Sequence, residues 1–152
     1  MAVGVDDIKD ARAAAVADFD NDGDIDIVIG CNPGIGETIT PVFYRNNIGN
    51  RQNWIEIDLT GSSVNRQAAG SEVRIELADG TEQMRHVMIG SAYASQSGPR
   101  LSFGLGKASS VAKLTVDWKG PGGGQEVFEN VQANQRVKIV QGKAIELTSV
   151  PQ

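Results

Sequence analysis

The sequence predicts an all-β protein, on three observations. Short runs with period-two alternation of apolar and polar residues dominate the chain. Eighteen glycines and five prolines supply many turns. No segment holds a helical period over three turns, apart from one short helix expected at residues 7–16. The architecture expected is a β-sandwich or barrel preceded by a short appended segment.

The elements follow in order. Residues 13–18 form a short apolar run that leads into an acidic loop. Residues 24–30 alternate Asp, Ile and Val and read as the strand leaving it. Residues 41–45 give a third short strand. The turn-rich joint Asn46-Asn47-Ile48-Gly49-Asn50 marks a boundary, which divides the chain into a segment at 1–48 and a β domain at 49–152. Beyond it, 54–59 and 73–77 are amphipathic at strand period. Asp79-Gly80 then turns the chain into 82–89, a β-hairpin signature. Strands are also expected at 101–105, 111–118, 127–128, 136–140 and 144–147, which gives the second domain about seven to nine strands.

Composition excludes several functions. The 152 residues and 40% hydrophobic content suffice for one domain, or for one with a small appendage. A net charge of −5 leaves no basic face for nucleic acid. No apolar run approaches the roughly 20 residues that span a bilayer, so no membrane insertion is expected. The start, Met1-Ala2-Val3-Gly4, has no basic or long apolar stretch of a signal peptide, so an exported protein would lack its leader in this chain. Cys31 is the single cysteine, so no internal disulfide forms.

The most informative stretch is Asp18-Phe19-Asp20-Asn21-Asp22-Gly23-Asp24-Ile25-Asp26. Acids alternate at every second position, and a tight loop turns several of them toward one point. Like charges so close repel unless a cation sits among them. Calcium suits the set, because it takes about six to eight oxygens in a flexible shell, whereas magnesium demands a near-ideal octahedron. An EF-hand is excluded: the twelfth position is Ile29 rather than Glu, and the flanks read as strands rather than helices. The expected metal ligands are Asp18, Asp20, Asp22 and Asp26 through side chains, with Asp24 through its carbonyl. Asn21 and Gly23 supply the left-handed backbone that such a loop needs. A solvated acidic turn that binds nothing is the alternative.

Residues Ala14 to Ile29, with this loop at their centre, resemble the FG-GAP/VCBS repeat. The resemblance implies one blade of a β-propeller with a calcium-binding loop. A propeller needs several blades, and one repeat cannot close one. A second resemblance is broader. Asn53-Trp54-Ile55-Glu56-Ile57, Asn65-Arg66-Gln67-Ala68-Ala69-Gly70-Ser71-Glu72-Val73, the stretch from Ser91 to Gly106, Val116-Asp117-Trp118 and Glu129-Asn130-Val131 are similar to the ASPIC/UnbV domain over residues 46–142. The order of the two is that of the C-terminal part of the cartilage acidic protein family and its bacterial relatives. The resemblance implies a secreted or cell-surface protein and no defined catalytic activity.

The expected function is therefore a calcium-binding extracellular interaction or adhesion module with an unknown protein or glycan partner, the oligomeric state left open. The alternatives are a carbohydrate-binding sandwich and an accessory or hydrolytic enzyme domain, the latter because ASPIC/UnbV-like domains also resemble parts of enediyne biosynthesis proteins. His86, the one histidine, has neither a G-x-S-x-G elbow nor a second histidine to support catalysis, and reads as a surface or satisfied strand residue. Cys31 reads as a small buried hydrophobe. The glycines at 104, 106, 120 and 122–124 lack the strand–loop–helix order of a phosphate cradle. Trp54 and Trp118 read as core aromatics. The stretch 91–106 is either a turn or a binding loop suited to sugars or carboxylates, with Gln96 and Arg100 satisfying backbone groups in the former case.

Overall fold

In the computed structural model, residues 10–148 are described, except Glu37, Ile39 and Ser91. The chain runs β1 (Asp10–Ala17), β2 (Asp26–Asn32), β3 (Val42–Tyr44), a 3-10 turn at Gly49–Arg51, β4 (Asn53–Thr60), β5 (Glu72–Glu76), β6 (Glu82–His86), β7 (Leu101–Gly106), β8 (Ser110–Trp118), β9 (Gly124–Gln132), β10 (Gln135–Val140) and β11 (Glu146–Thr148). The fold is all-β, as the alternation predicts.

Eight strands make a sandwich of two four-stranded sheets. One has the order β11-β10-β4-β7 and the other β6-β5-β8-β9. The second is antiparallel throughout, while β10 lies parallel to β4 in the first. Alternation sets which side chains meet between the sheets. Ile55 and Ile57 of β4, Leu101, Phe103 and Leu105 of β7, and Val137 and Ile139 of β10 face Val73, Ile75, Val111, Leu114, Val116 and Trp118 of the opposite sheet, all buried in one cluster. Trp118 is thus the core aromatic expected. Asp79-Gly80 makes the β5–β6 hairpin, with Gly80 at φ +83° and the Gly80 N–H on the Leu77 carbonyl at 3.0 Å.

The remaining strands, β1-β2-β3, form a separate antiparallel sheet. The short helix expected over residues 7–16 is corrected: residues 7–9 lie outside the described residues, and from Asp10 onward the segment is β1. The alanines of 13–15 favour a helix intrinsically, but each pairs across to Gly30, Ile29 or Val28 of β2, and that ladder decides. β2 also starts at Asp26 rather than Asp24, because the acidic loop takes two more residues than alternation suggests.

This small sheet leans on the sandwich. The Ser95 hydroxyl donates to the Ala14 carbonyl at 2.7 Å, and the Val16 N–H donates to Ser97 Oγ at 3.1 Å. The β1–β2 loop therefore comes to rest against the outer face of the β11-β10-β4-β7 sheet.

Candidate metal centre

β1 and β2 pair as far as Ala17 opposite Asp26, and the eight intervening residues fold back as a loop. Asn21 at φ +62° and Gly23 at φ +95° occupy the left-handed region. Carboxylates brace the loop's own backbone. Asp18 accepts the Asp22 N–H at 3.0 Å and the Gly23 N–H at 3.1 Å on its two oxygens. Asp20 accepts the Asp22 N–H at 3.3 Å, and Asp22 accepts the Asp24 N–H at 3.1 Å. These local bonds are the reason Asp and Asn populate tight turns.

The result is a cluster. One oxygen from each of Asp18, Asp20 and Asp22 lies within 4.8 Å of the other two. The Asp24 and Asp26 carboxylates hold the connector that follows β3. Asp26 accepts the Asn46 N–H at 2.8 Å and the Phe19 N–H at 3.2 Å. Asp24 accepts the Asn50 N–H at 3.2 Å on Oδ2, while its buried Oδ1 has no hydrogen-bond partner among the described residues. The Asn50 side-chain amide donates to Asp22 at 2.8 Å.

Two guanidinium groups touch the cluster. Arg45 Nε is 2.6 Å from Asp20 and its Nη2 3.7 Å from Asp22. Arg136 Nη2 is 3.6 Å from Asp18 and donates to Asn21 Oδ1 at 3.1 Å. Five acids against two arginines leave the loop strongly negative. Burial pushes the Asp18 carboxyl above the usual carboxylate range, against the pull of the Gly23 N–H, and the nearby Glu56 charge adds to the rise. Burial likewise raises Asp24, opposed by the Asn50 N–H and reinforced by Asp22, Asp26 and Asp20. Both groups hold their charge at a cost that a cation would remove.

Alternation alone does not reveal the buried ion network beneath the loop. Glu56 of β4 is 1% exposed although it points away from the sandwich core. Arg136 of β10 sits opposite it in register and holds it through Nε at 2.8 Å and Nη2 at 2.7 Å. Ser102 donates to the other Glu56 oxygen at 3.2 Å. Arg100 lies 3.6 Å from Glu56 and bonds both oxygens of Asp58 through Nε, at 3.1 and 3.2 Å. Arg100 thus serves carboxylates rather than backbone groups. The one sequence signal of this network is the run Glu56, Asp58 on one strand matched by Arg136, Lys138 on another.

The loop is seated on Trp54, which is half-buried beneath it and not in the core. A Cβ built on Gly23 would stand 2.0 Å from the Trp54 indole. Of the other candidates, His86 is exposed at the end of β6, and Cys31 is buried at the end of β2. Asn65 accepts the Ala69 N–H at 2.8 Å and shapes its own turn.

Among the described residues no helix is long and apolar enough to cross a membrane. No curated protein matches the chain. The family model described as ASPIC and UnbV matches residues 61–146, more than half of the chain, and this span covers β5 to the start of β11 but not the acidic loop. On that match, the chain belongs to the ASPIC/UnbV family.

Proposed function

We propose that the chain is a calcium-binding extracellular module for interaction or adhesion, with a structural ion and no catalysis. The observation that carries this is the convergence of Asp18, Asp20 and Asp22 in a loop where arginines neutralise only part of the charge. An all-oxygen donor set suits a hard divalent cation. The partnerless Asp24 oxygen adds an unmet acceptor in the same loop. Asp18, Asp20, Asp22 and Asp26, with the Asp24 carbonyl, would hold the ion. The likeness of residues 14–29 to the FG-GAP/VCBS repeat supports the same ligand set.

The ion's role is to fasten the small sheet to the sandwich. The loop meets Arg136 of β10 through Asp18, the connector residue Asn50 through Asp22, and Trp54 of β4 through Gly23. Neutralising those acids removes the repulsion that opens the loop, and the docked arrangement gains stability by linkage. Extracellular sites of this kind need bind only at about 10⁻⁴–10⁻³ M to be loaded outside a cell. An unknown protein or glycan would be the partner.

Calorimetric melting with excess calcium and with EDTA tests the proposal. At calcium near 100-fold over Kd, linkage adds about 2.7 kcal/mol. For a chain of this length that is a rise in Tm of about 5–10 °C. Asp22→Asn should abolish most of the rise. Equal melting with and without calcium, and no metal in elemental analysis, would remove the ion from the account.

A further inference from the structure

Between the β1 end of the small sheet and the 97–102 segment of the sandwich lies a cleft of about 470 Å³. That volume is within the usual range for small-molecule sites, about 300–1,000 Å³. Its polar lining comes from Asp18, Glu56, Asp58, Arg85, Arg100 and Ser102, and Val16, Ile25 and Leu101 form an aliphatic wall. We infer that this cleft binds a saccharide bearing a carboxylate, a uronate-type sugar. The inference goes beyond the calcium reading, since the cleft is a separate feature that meets the metal loop only at Asp18.

Charge pairing argues for the class of ligand. Glu56 and Asp58 are already matched by Arg136 and Arg100, and Asp18 by Arg136. Arg136 is shared between Glu56 and Asp18, so the three acids are balanced only when Arg85 is counted with Arg100 and Arg136, and the floor is dense in fixed acceptors and N–H donors. Such pairs recognise hydroxyl groups, because each offers both senses of hydrogen bond in a set geometry. Ser102 adds a hydroxyl that can exchange its Glu56 bond for a ligand's. The aliphatic wall suits the C–H face of a sugar ring.

Arg85 supplies the remaining term. Among the described residues it forms no ion pair. It lies over the Phe103 ring, 5.3 Å from the centroid, and gives one N–H to the Met84 carbonyl at 2.9 Å. A guanidinium held over a ring, with N–H groups to spare at the edge of a cleft, can receive a carboxylate. A ring with hydroxyls toward Asp58, Arg100 and Ser102 would turn its carboxylate toward Arg85.

Titration calorimetry with free glucuronate and galacturonate, beside glucose and galactose, tests the inference. The uronates should bind at least about tenfold tighter than the neutral sugars, the difference one charge-assisted pair makes. Arg85→Ala should erase that difference without changing the neutral sugars. Ser102→Ala should weaken all four. Both side chains lie outside the core, and circular dichroism confirms that the variants fold. Absence of saturable binding by any of the four overturns the inference. So does equal binding of neutral and acidic sugars with Arg85→Ala silent. Repeating the titration in EDTA separates the two readings: uronate binding that persists without calcium supports the cleft whatever becomes of the metal loop. Binding that vanishes for wild type and Arg85→Ala alike marks calcium bridging and overturns the assignment to Arg85.

Discussion

Gly23→Ala is the sharpest test of how the acidic loop is seated. An added Cβ would stand 2.0 Å from Trp54 Cε2 and 2.1 Å from Nε1, where ordinary contact is 3.4–4 Å. Trp54 cannot easily withdraw. Its N–H donates to Asn134 Oδ1 at 3.2 Å and its carbonyl accepts the Asn134 N–H at 2.6 Å, so the strand is pinned at that residue. Either the indole leaves its half-buried place or the loop moves, which pulls Asp18 and Asn21 from Arg136. Two costs add. An L residue in the left-handed region loses about 1–2 kcal/mol, and overpacking costs about 1–3 kcal/mol. The variant should lose about 2–5 kcal/mol, read as a fall in the urea midpoint by fluorescence and far-ultraviolet circular dichroism. Trp54 emission should also shift to the red as the indole loses its cover. A double-mutant cycle isolates the clash. With Trp54→Ala in place, Gly23→Ala should cost only the backbone part, about 1–2 kcal/mol. A cost below about 0.5 kcal/mol, the size of an ordinary surface change, would refute the docking argument, and so would an equal cost in both backgrounds.

Two further predictions concern the charges under the loop. Arg136→Met leaves Glu56 buried and largely unpaired and should cost about 3–5 kcal/mol in chemical denaturation. Adding Glu56→Gln should recover part of that loss, and no recovery would mean that Arg136 acts by packing alone. In the metal-free chain the contribution of Asp18 and Asp24 to stability should fall as pH rises from 3.8 toward neutral. Asp18 and Asp24 have folded pKa values raised above 3.8, chiefly by burial. The folded state then binds more protons than the unfolded state, so their contribution falls as pH rises from 3.8 through the folded values. Asp79 has the opposite sign, lowered by the Thr81 N–H, but its window lies below 3.8, where acid removes its contribution. Saturating calcium favours the ionised loop and should flatten or reverse the trend in a pH series of melts.

Much of the fold is legible in the sequence because a strand with one buried face repeats every second residue. The alternation at 54–59, 73–77 and 111–118 returns as β4, β5 and β8, and Asp79-Gly80 returns as the β5–β6 turn. Asn21 and Gly23 fall where the acidic spacing requires left-handed backbone. The alanine run at 13–15 misleads because its intrinsic preference is small beside the ladder it joins with β2.

The site was harder to see, and Glu56 shows why. Its neighbours Ile55 and Ile57 are fully buried in the core, so period two assigns Glu56 to solvent. It is instead as buried as they are. The outer face of its sheet carries a second layer, made of the acidic loop and the 97–102 segment, which are distant in sequence from β4 and β10. Periodicity reports which side of a strand is apolar and nothing about what covers the other side. A polar face that is covered must pair its charges internally, and the register does this: Arg136 stands opposite Glu56 and Lys138 opposite Asp58. Opposite charges at matched positions on paired strands occur on open surfaces as well, where they contribute little. Here Ser102 and Arg100 also converge on Glu56, and Arg136 reaches past it to Asp18. That reach joins the sandwich to the loop, so Arg136 senses the charge state of the acidic cluster. A cation among Asp18, Asp20 and Asp22 would hold the Asp18 carboxylate in the position from which it meets Arg136. Loop loading and sandwich stability would then be one linked equilibrium, and on the proposed calcium site substitution at Arg136 should change calcium affinity although the residue ligates nothing.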